Sequence, residues 1–431
     1  MFGVSLIYAL LSILLIVVGL INRDMVPGGT DYLFYMLIGI LSVKTMIGNR
    51  AFSFPKYYIA ILVSFLAVIL FNSFISPYSP GLKYILIATV VTMIPFVIFI
   101  LSYNIRFTNE EINSFIDWVI VAACSIAALI YVENVVSSPP KLDSLIASKV
   151  FMIGFFASFC SQTIVLSLAR YHVTRRKRYI YAIVFLLVTI LLLNQLKAIV
   201  GGMVAVVAYL FFMTRMSRLL KVVVLAAGVA AFSVWIALSG SLMVEKVVKY
   251  SEQFTDEEAS EGIARIALYV QSVEMAKDFF PLGTGQGTFG SIPVNLIYSD
   301  VYYDYELSRI WGLAPNDKVN FKMDTHWASL LGETGVLGII IYLVLLLYPS
   351  IALGALRRRR PGGAPDDSPD SRAYRFYTTC GLVVLILESF VLALPNRSVF
   401  ILLYAGLNAV IVRNLYTSES LLEYEDTTGD D

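Results

Sequence analysis

The sequence predicts an all-α integral membrane protein with about 12 transmembrane helices and one large polar loop between spans nine and ten. Three observations carry this. Of 431 residues, 58% are hydrophobic and 15% charged, with a mean hydropathy of +0.77, whereas charged residues make up roughly a quarter of a soluble chain. Apolar runs long enough to cross a bilayer, about 20 residues each, recur along the chain. The turns between them are short and polar or Pro/Gly-containing, except around 240–325. A net charge of +1 gives no sign of a nucleic-acid partner.

The spans are expected at 4–21, 32–48, 57–76, 84–103, 115–135, 150–169, 179–194, 197–213, 219–239, 328–354, 375–394 and 398–416. The first has no basic residue before it and no small-residue cleavage site after it, so it reads as a retained helix. The seventh and eighth are separated by so short a turn that a kinked or re-entrant hairpin is the alternative. Three basic stretches, RYHVTRRKRY (170–179), TRMSRLLK (214–221) and RRRRPGG (357–363), fall on one face of this layout. Lys and Arg are retained on the cytoplasmic side, so both termini are expected there and the long loop outside, at the periplasmic face of a bacterial inner membrane. The chain then divides into spans one to nine (1–239), a periplasmic loop with amphipathic helices (240–325), spans ten to twelve (326–416) interrupted by a cytoplasmic linker (357–372), and a polar cytoplasmic tail (417–431). Asp366 and Asp367, in the Pro/Gly-rich linker, read as solvated loop rather than a sugar-nucleotide site. Cys124, Cys160 and Cys380 lie in apolar runs without metal-ligand or disulfide spacing and read as packing residues.

Inside the loop, residues 261–280 read as an amphipathic helix with Ile263, Ile266, Ala267, Val270, Val273 and Met275 on its apolar face. Arg265 on this helix is either an interfacial arginine snorkelling to water or a ligand for an anion. PLGTGQGTFG follows (281–290). It lacks the GK[ST] ending of a P-loop and comes after a helix, so it reads as a tight turn, although free backbone N–H groups there could receive an anion. In SDVYYDYELSRIWG (299–312), Tyr302, Tyr303 and Tyr305 are interleaved with acids; sugar stacking and packing on lipid fit this composition equally well. In MDTHWASLLGETGVLG (323–338), Asp324 and Thr325 read as helix-capping residues, and Gly335 and Gly338 as sites of close helix packing.

Ionisable residues within spans need a reason. On this topology Lys197 opens span eight from outside, Glu388 lies in the outer half of span eleven, and Arg397 follows it in a short outer turn. With Arg265 and His326, one of only two histidines, they gather at one leaflet. A structural ion-pair network would look the same. The chemical reading is a site for a lipid diphosphate beside a hydroxyl to be activated, as in polyprenyl-diphosphate-linked sugars. His326 would take the acceptor proton, and Lys and Arg would stabilise the departing diphosphate. No metal, nucleotide or other cofactor is required, because the activated bond arrives with the lipid.

Three stretches in this order, LLNQLKAIVGGMVAVV (192–207), ARIALYVQSVEMAKDFFPLGTGQGTFG (264–290) and THWASLLGETGVLGII (325–340), resemble the O-antigen ligase and polysaccharide polymerase family of GT-C-like membrane glycosyltransferases. The resemblance matches His326 to the family's histidine, Arg265 to its loop-helix arginine and Lys197 to its arginine outside the middle helix, which implies a catalytic role for His326 and diphosphate binding by Arg265 and Lys197; the residues themselves add diphosphate binding by Arg397 and a supporting or sugar-binding role for Glu333, Glu388, Tyr302, Tyr303 and Tyr305. The resemblance places Gly285, Gly287 and Phe289 in the family's loop turn, and Glu333, Gly335 and Gly338 in its histidine helix. It further implies an undecaprenyl-diphosphate-linked glycan donor, a glycan or lipid acceptor, inverting transfer, and a chain-length regulator and a flippase as partners. Two positions depart from the pattern: Lys197 stands where the family commonly has arginine, and Trp327 where it has asparagine. Lysine supplies charge without bidentate phosphate binding. These departures and the Tyr-rich loop favour a polymerase of O-antigen, capsule or exopolysaccharide repeat units over a ligase that passes the finished glycan to lipid A core. A lipid-linked glycan flippase and a scaffold of an envelope assembly complex are the readings from other classes. Transporters, however, carry paired repeats and midplane polar sites, and neither feature is evident here.

Overall fold

The computed structural model describes residues 4–21, 30–49, 55–136, 148, 150–214, 216–217, 219–221, 264–315, 317, 321–359, 368–391, 394–395 and 397–415. Among them the regular elements are helices: α1 Val4–Leu20, α2 Thr30–Asn49, α3 Lys56–Ile75, α4 Leu82–Tyr103, α5 Asn109–Val136, α6 Ile153–Thr174, α7 Lys177–Leu193, α8 Leu196–Met213, α9 Ala264–Asp278, α10 His326–Arg359 and α11 Pro369–Glu388. A final helix, α12, opens with Ser398–Phe400, passes through a π-helical turn at Ile401–Gly406 and runs on to Leu415. Six of these, α3, α4, α5, α6, α8 and α10, are long and apolar enough to cross a bilayer. The chain is an all-α membrane protein. The expected ninth span beyond position 221, the first part of the loop (240–263), Asp366, Asp367 and the tail (417–431) lie outside the described residues.

Two expectations change at the helix ends. The expected linker, 357–372, is helical at both margins: α10 continues to Arg359, and α11 begins at Pro369 with the Ser368 hydroxyl accepting the Ser371 N–H. α11 therefore starts six residues before the expected span, in a polar first turn, and is not among the apolar helices. It lies against α6 and α8 rather than facing outward along its length, which removes the need for an all-apolar surface. The seventh and eighth expected spans form separate helices, joined by a left-handed Asn194 and the extended Gln195.

α6 is the centre of the bundle, packed against α7, α8 and α11. Its buried face is polar for a membrane helix, with Ser158, Ser161, Gln162, Thr163 and Ser167 all enclosed. Without water, each such group needs an internal partner. Gln162 donates to the Gly381 carbonyl at 3.0 Å and Thr163 to the Phe159 carbonyl at 2.8 Å, while the Ser167 hydroxyl has no partner among the described residues. Gly201 lets α8 approach α11 closely, because a Cβ there would overlap Glu388 Oε1. The basic stretch after α6 marks one end of the bundle, where Arg170 and Arg178 both pair with Asp117 at 2.9 and 2.7 Å.

At the opposite end sits the loop layer, residues 264–325, with a small core of its own formed by Leu268, Met275, Phe289, Val301, Tyr302 and Leu307. α9 turns a different face inward from the one expected. Ala264, Ala267, Leu268, Ser272, Met275 and Ala276 are buried, while Val270 and Val273 are 51% and 44% exposed. Ile263 lies outside the described residues. The reason is that α9 packs on α10 and turns Ala264, Ala267, Leu268 and Met275 into the core of the loop layer, which Ala328 of α10 also joins.

α10 is two helices joined end to end. Gly335 has φ 64° and ψ −167°, a conformation essentially restricted to glycine. The break frees carbonyls that the glycine turn of the loop occupies. Thr284 N–H donates to Gly332 O at 2.8 Å, Gly285 N–H to Glu333 O at 3.0 Å, and Leu337 N–H to Pro281 O at 3.0 Å. α3 closes the junction from the other side: Asn72 donates to Glu333 O at 2.8 Å, Ser73 Oγ accepts Gln286 N–H at 2.8 Å, and Ser76 Oγ donates to Thr284 O. The PLGTGQGTFG turn is thus docked backbone to backbone on the helix that begins with His326.

Candidate active site

His326 is the first residue of α10 and is 5% exposed. Its Nε2 lies 3.1 Å from the hydroxyl of Tyr342, sixteen residues on in sequence and brought back to it by the break at Gly335. The imidazole packs edge-on to Trp327, at 5.1 Å between centroids, and against the Tyr342 ring at 5.4 Å. Trp327 ties this corner to α11 by donating Nε1–H to the Ile386 carbonyl at 3.2 Å. The ring is therefore held from two sides by aromatic packing rather than projecting freely from a helix end.

The expected capping roles fail. The Asp324 carboxylate turns away from the helix and accepts Arg265 Nη2 at 2.8 Å, and the buried Thr325 hydroxyl has no partner. Asp324 looks like a cap in sequence, but in the fold it is the partner of Arg265. Its pairing brings α9 to the residue two before His326 and fixes the guanidinium, which is partly exposed.

Lys197, at the start of α8, lies within electrostatic reach of Glu388, Arg265 and Asp324. Among the described residues its ammonium has no hydrogen bond, and the first turn of α6 is its neighbour, with the space beside Gly154 3.7 Å from Nζ. The adjacent Phe155 ring carries the Arg397 guanidinium, 4.3 Å above its centroid. Glu388, fully enclosed, accepts the Ser161 hydroxyl at 2.5 Å on Oε1, while Oε2 has no partner. Tyr269 of α9 donates to the Phe390 carbonyl at 2.8 Å and so ties the loop layer to the same end of α11. The five ionisable residues expected at one leaflet do share one end of the bundle.

The supporting residues separate by environment. Glu333 is buried, and its Oε1 accepts the N–H groups of Gly287 and Phe289, each at 3.0 Å, and the Ser291 hydroxyl at 2.5 Å. The turn does have the geometry of an anion-binding nest, with Gly285 and Gly287 at φ 97° and 88°. The group it holds is the protein's own Glu333 side chain, so these N–H groups are not free for a phosphate. Tyr302 is 0% exposed, and its hydroxyl accepts the Gly290 N–H at 3.1 Å. With no open ring face it offers no sugar platform, which leaves only the supporting half of its expected role. Tyr305 is half-buried and donates to Asp278 at 2.8 Å; burial, then that carboxylate, raises its phenol above the ordinary value. Of the three, Tyr303 alone is open, at 54% exposure. Glu388 is likewise enclosed, with no face open to a sugar.

Residues 181–343 match the family model described as O-antigen ligase. The match bears out the resemblance read from the three motifs. It takes in Lys197, Arg265, Asp324, His326, Glu333 and Tyr342, and stops before Glu388 and Arg397. The O-antigen-ligase-like region thus runs from α7 through the loop layer into the second half of α10, and includes both the glycine turn and the helix it docks on. No curated protein matches the chain.

Proposed function

We propose that the protein is an inverting glycosyltransferase that uses a polyprenyl-diphosphate-linked glycan, undecaprenyl diphosphate being the carrier, at the periplasmic face of a bacterial inner membrane, and that it polymerises repeat units of a surface polysaccharide. The observation that carries this reading is the gathering of Lys197, Arg265, Arg397 and His326 where the loop layer meets the bundle. Lys197 there has no hydrogen-bond partner among the described residues. In this scheme an acceptor hydroxyl attacks the anomeric carbon from the face opposite the phosphate. The new C–O bond forms as the bond to the diphosphate breaks, the electron pair leaves with the diphosphate, and the hydroxyl proton passes to His326. Fixed cations in a water-poor site stabilise the charge that develops on the leaving group. The anomeric configuration inverts because one displacement occurs.

A ligase that transfers a finished glycan to lipid A core or another acceptor is the second reading, and the description of the matching family model favours it. Gel patterns of lipid-linked and surface glycan in a deletion strain separate the two. Loss of a polymerase leaves single repeat units on the acceptor, and loss of a ligase leaves long chains on the carrier. Purified protein in detergent, incubated with polyprenyl-diphosphate-linked glycan, should release polyprenyl diphosphate. His326→Ala should insert normally and release none. Full release by that variant would overturn the assignment of His326, and no release by the unaltered protein with lipid A core also supplied as acceptor would favour a flippase.

A further inference from the structure

We infer that Tyr342 is a positioning residue for His326, accepting the Nε2 proton of the imidazole so that Nδ1 is the nitrogen offered to the acceptor hydroxyl. This deepens the glycosyltransferase reading and rests on it for its catalytic consequence. The geometric basis is independent of that reading. Tyr342 is fully enclosed, and its ring lies against Phe65 at 6.0 Å and Phe96 at 5.0 Å, so its hydroxyl is anchored by α3 and α4. The Nε2 to hydroxyl distance is 3.1 Å, within hydrogen-bonding range. Nε2 therefore faces the bundle core. Nδ1, which has no hydrogen-bond partner among the described residues, is the nitrogen left to meet substrate.

A neutral imidazole carries one proton and one lone pair. For Nδ1 to take a proton, Nε2 must already hold the other, and the Tyr342 oxygen is the atom placed to accept it. As Nδ1 is protonated the ring becomes a cation, and the Nε2–H to Tyr342 bond becomes charge-assisted and stronger. Tyr342 would then stabilise the imidazolium that forms during transfer, the part a second group plays behind a catalytic histidine. The reverse arrangement, with the tyrosine hydroxyl donating to Nε2, puts the ring proton on Nδ1 and leaves no lone pair for the acceptor. The tautomer decides between them.

The chain has only His172 and His326, which makes the measurement direct. Nitrogen-15 histidine labelling of the full protein in detergent, with His172→Gln to assign the signals, reads the tautomer of His326. Near neutral pH the expected result is a protonated Nε2 in the unaltered protein and a mixture of tautomers in Tyr342→Phe. A protonated Nδ1 in the unaltered protein, or an unchanged spectrum in the variant, overturns the inference. In the release assay, Tyr342→Phe should lower kcat by about 10- to 100-fold with KM within about twofold. An unchanged kcat, or a loss confined to KM, also overturns it. If the unaltered protein releases no polyprenyl diphosphate, the functional reading fails while the nitrogen spectrum still decides the role of Tyr342.

Discussion

The Arg265 guanidinium donates to the Asp324 carboxylate at 2.8 Å, and this single pair ties the loop helix α9 to the start of the helix that presents His326. Both partners are partly exposed, so the pair contributes little to stability, on the order of 1 kcal/mol or less. Its consequence is positional. Asp324→Asn should leave the protein folded and raise KM for the diphosphate-linked donor by about 3- to 10-fold, because the guanidinium loses its charged partner and its fixed orientation. Donor titration in detergent checks this; an unchanged KM would show that Asp324 does not orient Arg265.

Lys197 should tolerate arginine better than a neutral side chain. The cation has no hydrogen bond among the described residues, so its charge is available to a ligand. Lys197→Met should abolish transfer while the protein still inserts. Lys197→Arg should keep at least about a third of the rate, since guanidinium supplies the same charge and a bidentate phosphate contact. Release of polyprenyl diphosphate by the two variants is the comparison. Equal loss in both would mean that shape rather than charge matters at this position.

Glu333 is predicted to be a stability residue first. Its Oε1 accepts two backbone N–H groups and a hydroxyl. Glu333→Ala would leave these donors buried without partners, at about 1 to 3 kcal/mol each when unrelieved. The midpoint of thermal unfolding in detergent should fall by several degrees. Glu333→Gln, which keeps an acceptor oxygen, should fall less.

Gly335 and Gly354 make a matched pair on α10. At Gly335 the backbone lies at φ 64°, and a Cβ would overlap the Leu282 backbone. At Gly354 nothing lies within 4 Å of the added carbon. Gly335→Ala should therefore undock the glycine turn and give little folded protein, whereas Gly354→Ala should behave as the parent in size-exclusion chromatography and in activity.

Helix positions were legible in the sequence because apolar length and polar turns set them locally. α3, α4 and α8 fall within a few residues of their expected places. Gathering of Lys197, Arg265, His326, Glu388 and Arg397 at one end followed from the same layout, since each sits at the end of a span or in the loop beside it. What each group does at that end was decided by tertiary structure. Asp324 reads as a cap in sequence, because capping is a local possibility; its partner is 59 residues away on α9. Glu333 reads as a motif residue, and only docking of the loop shows that its carboxylate fills the glycine nest. Tyr302 and Tyr303 are adjacent and chemically alike, yet one is enclosed and the other open, because a short helical turn points successive side chains to different sides. Tyr342 carries no sequence signal at all. Sixteen residues of continuous helix would put it about 24 Å from His326; its hydroxyl reaches the imidazole because the chain changes direction at Gly335, and only the folded backbone shows that.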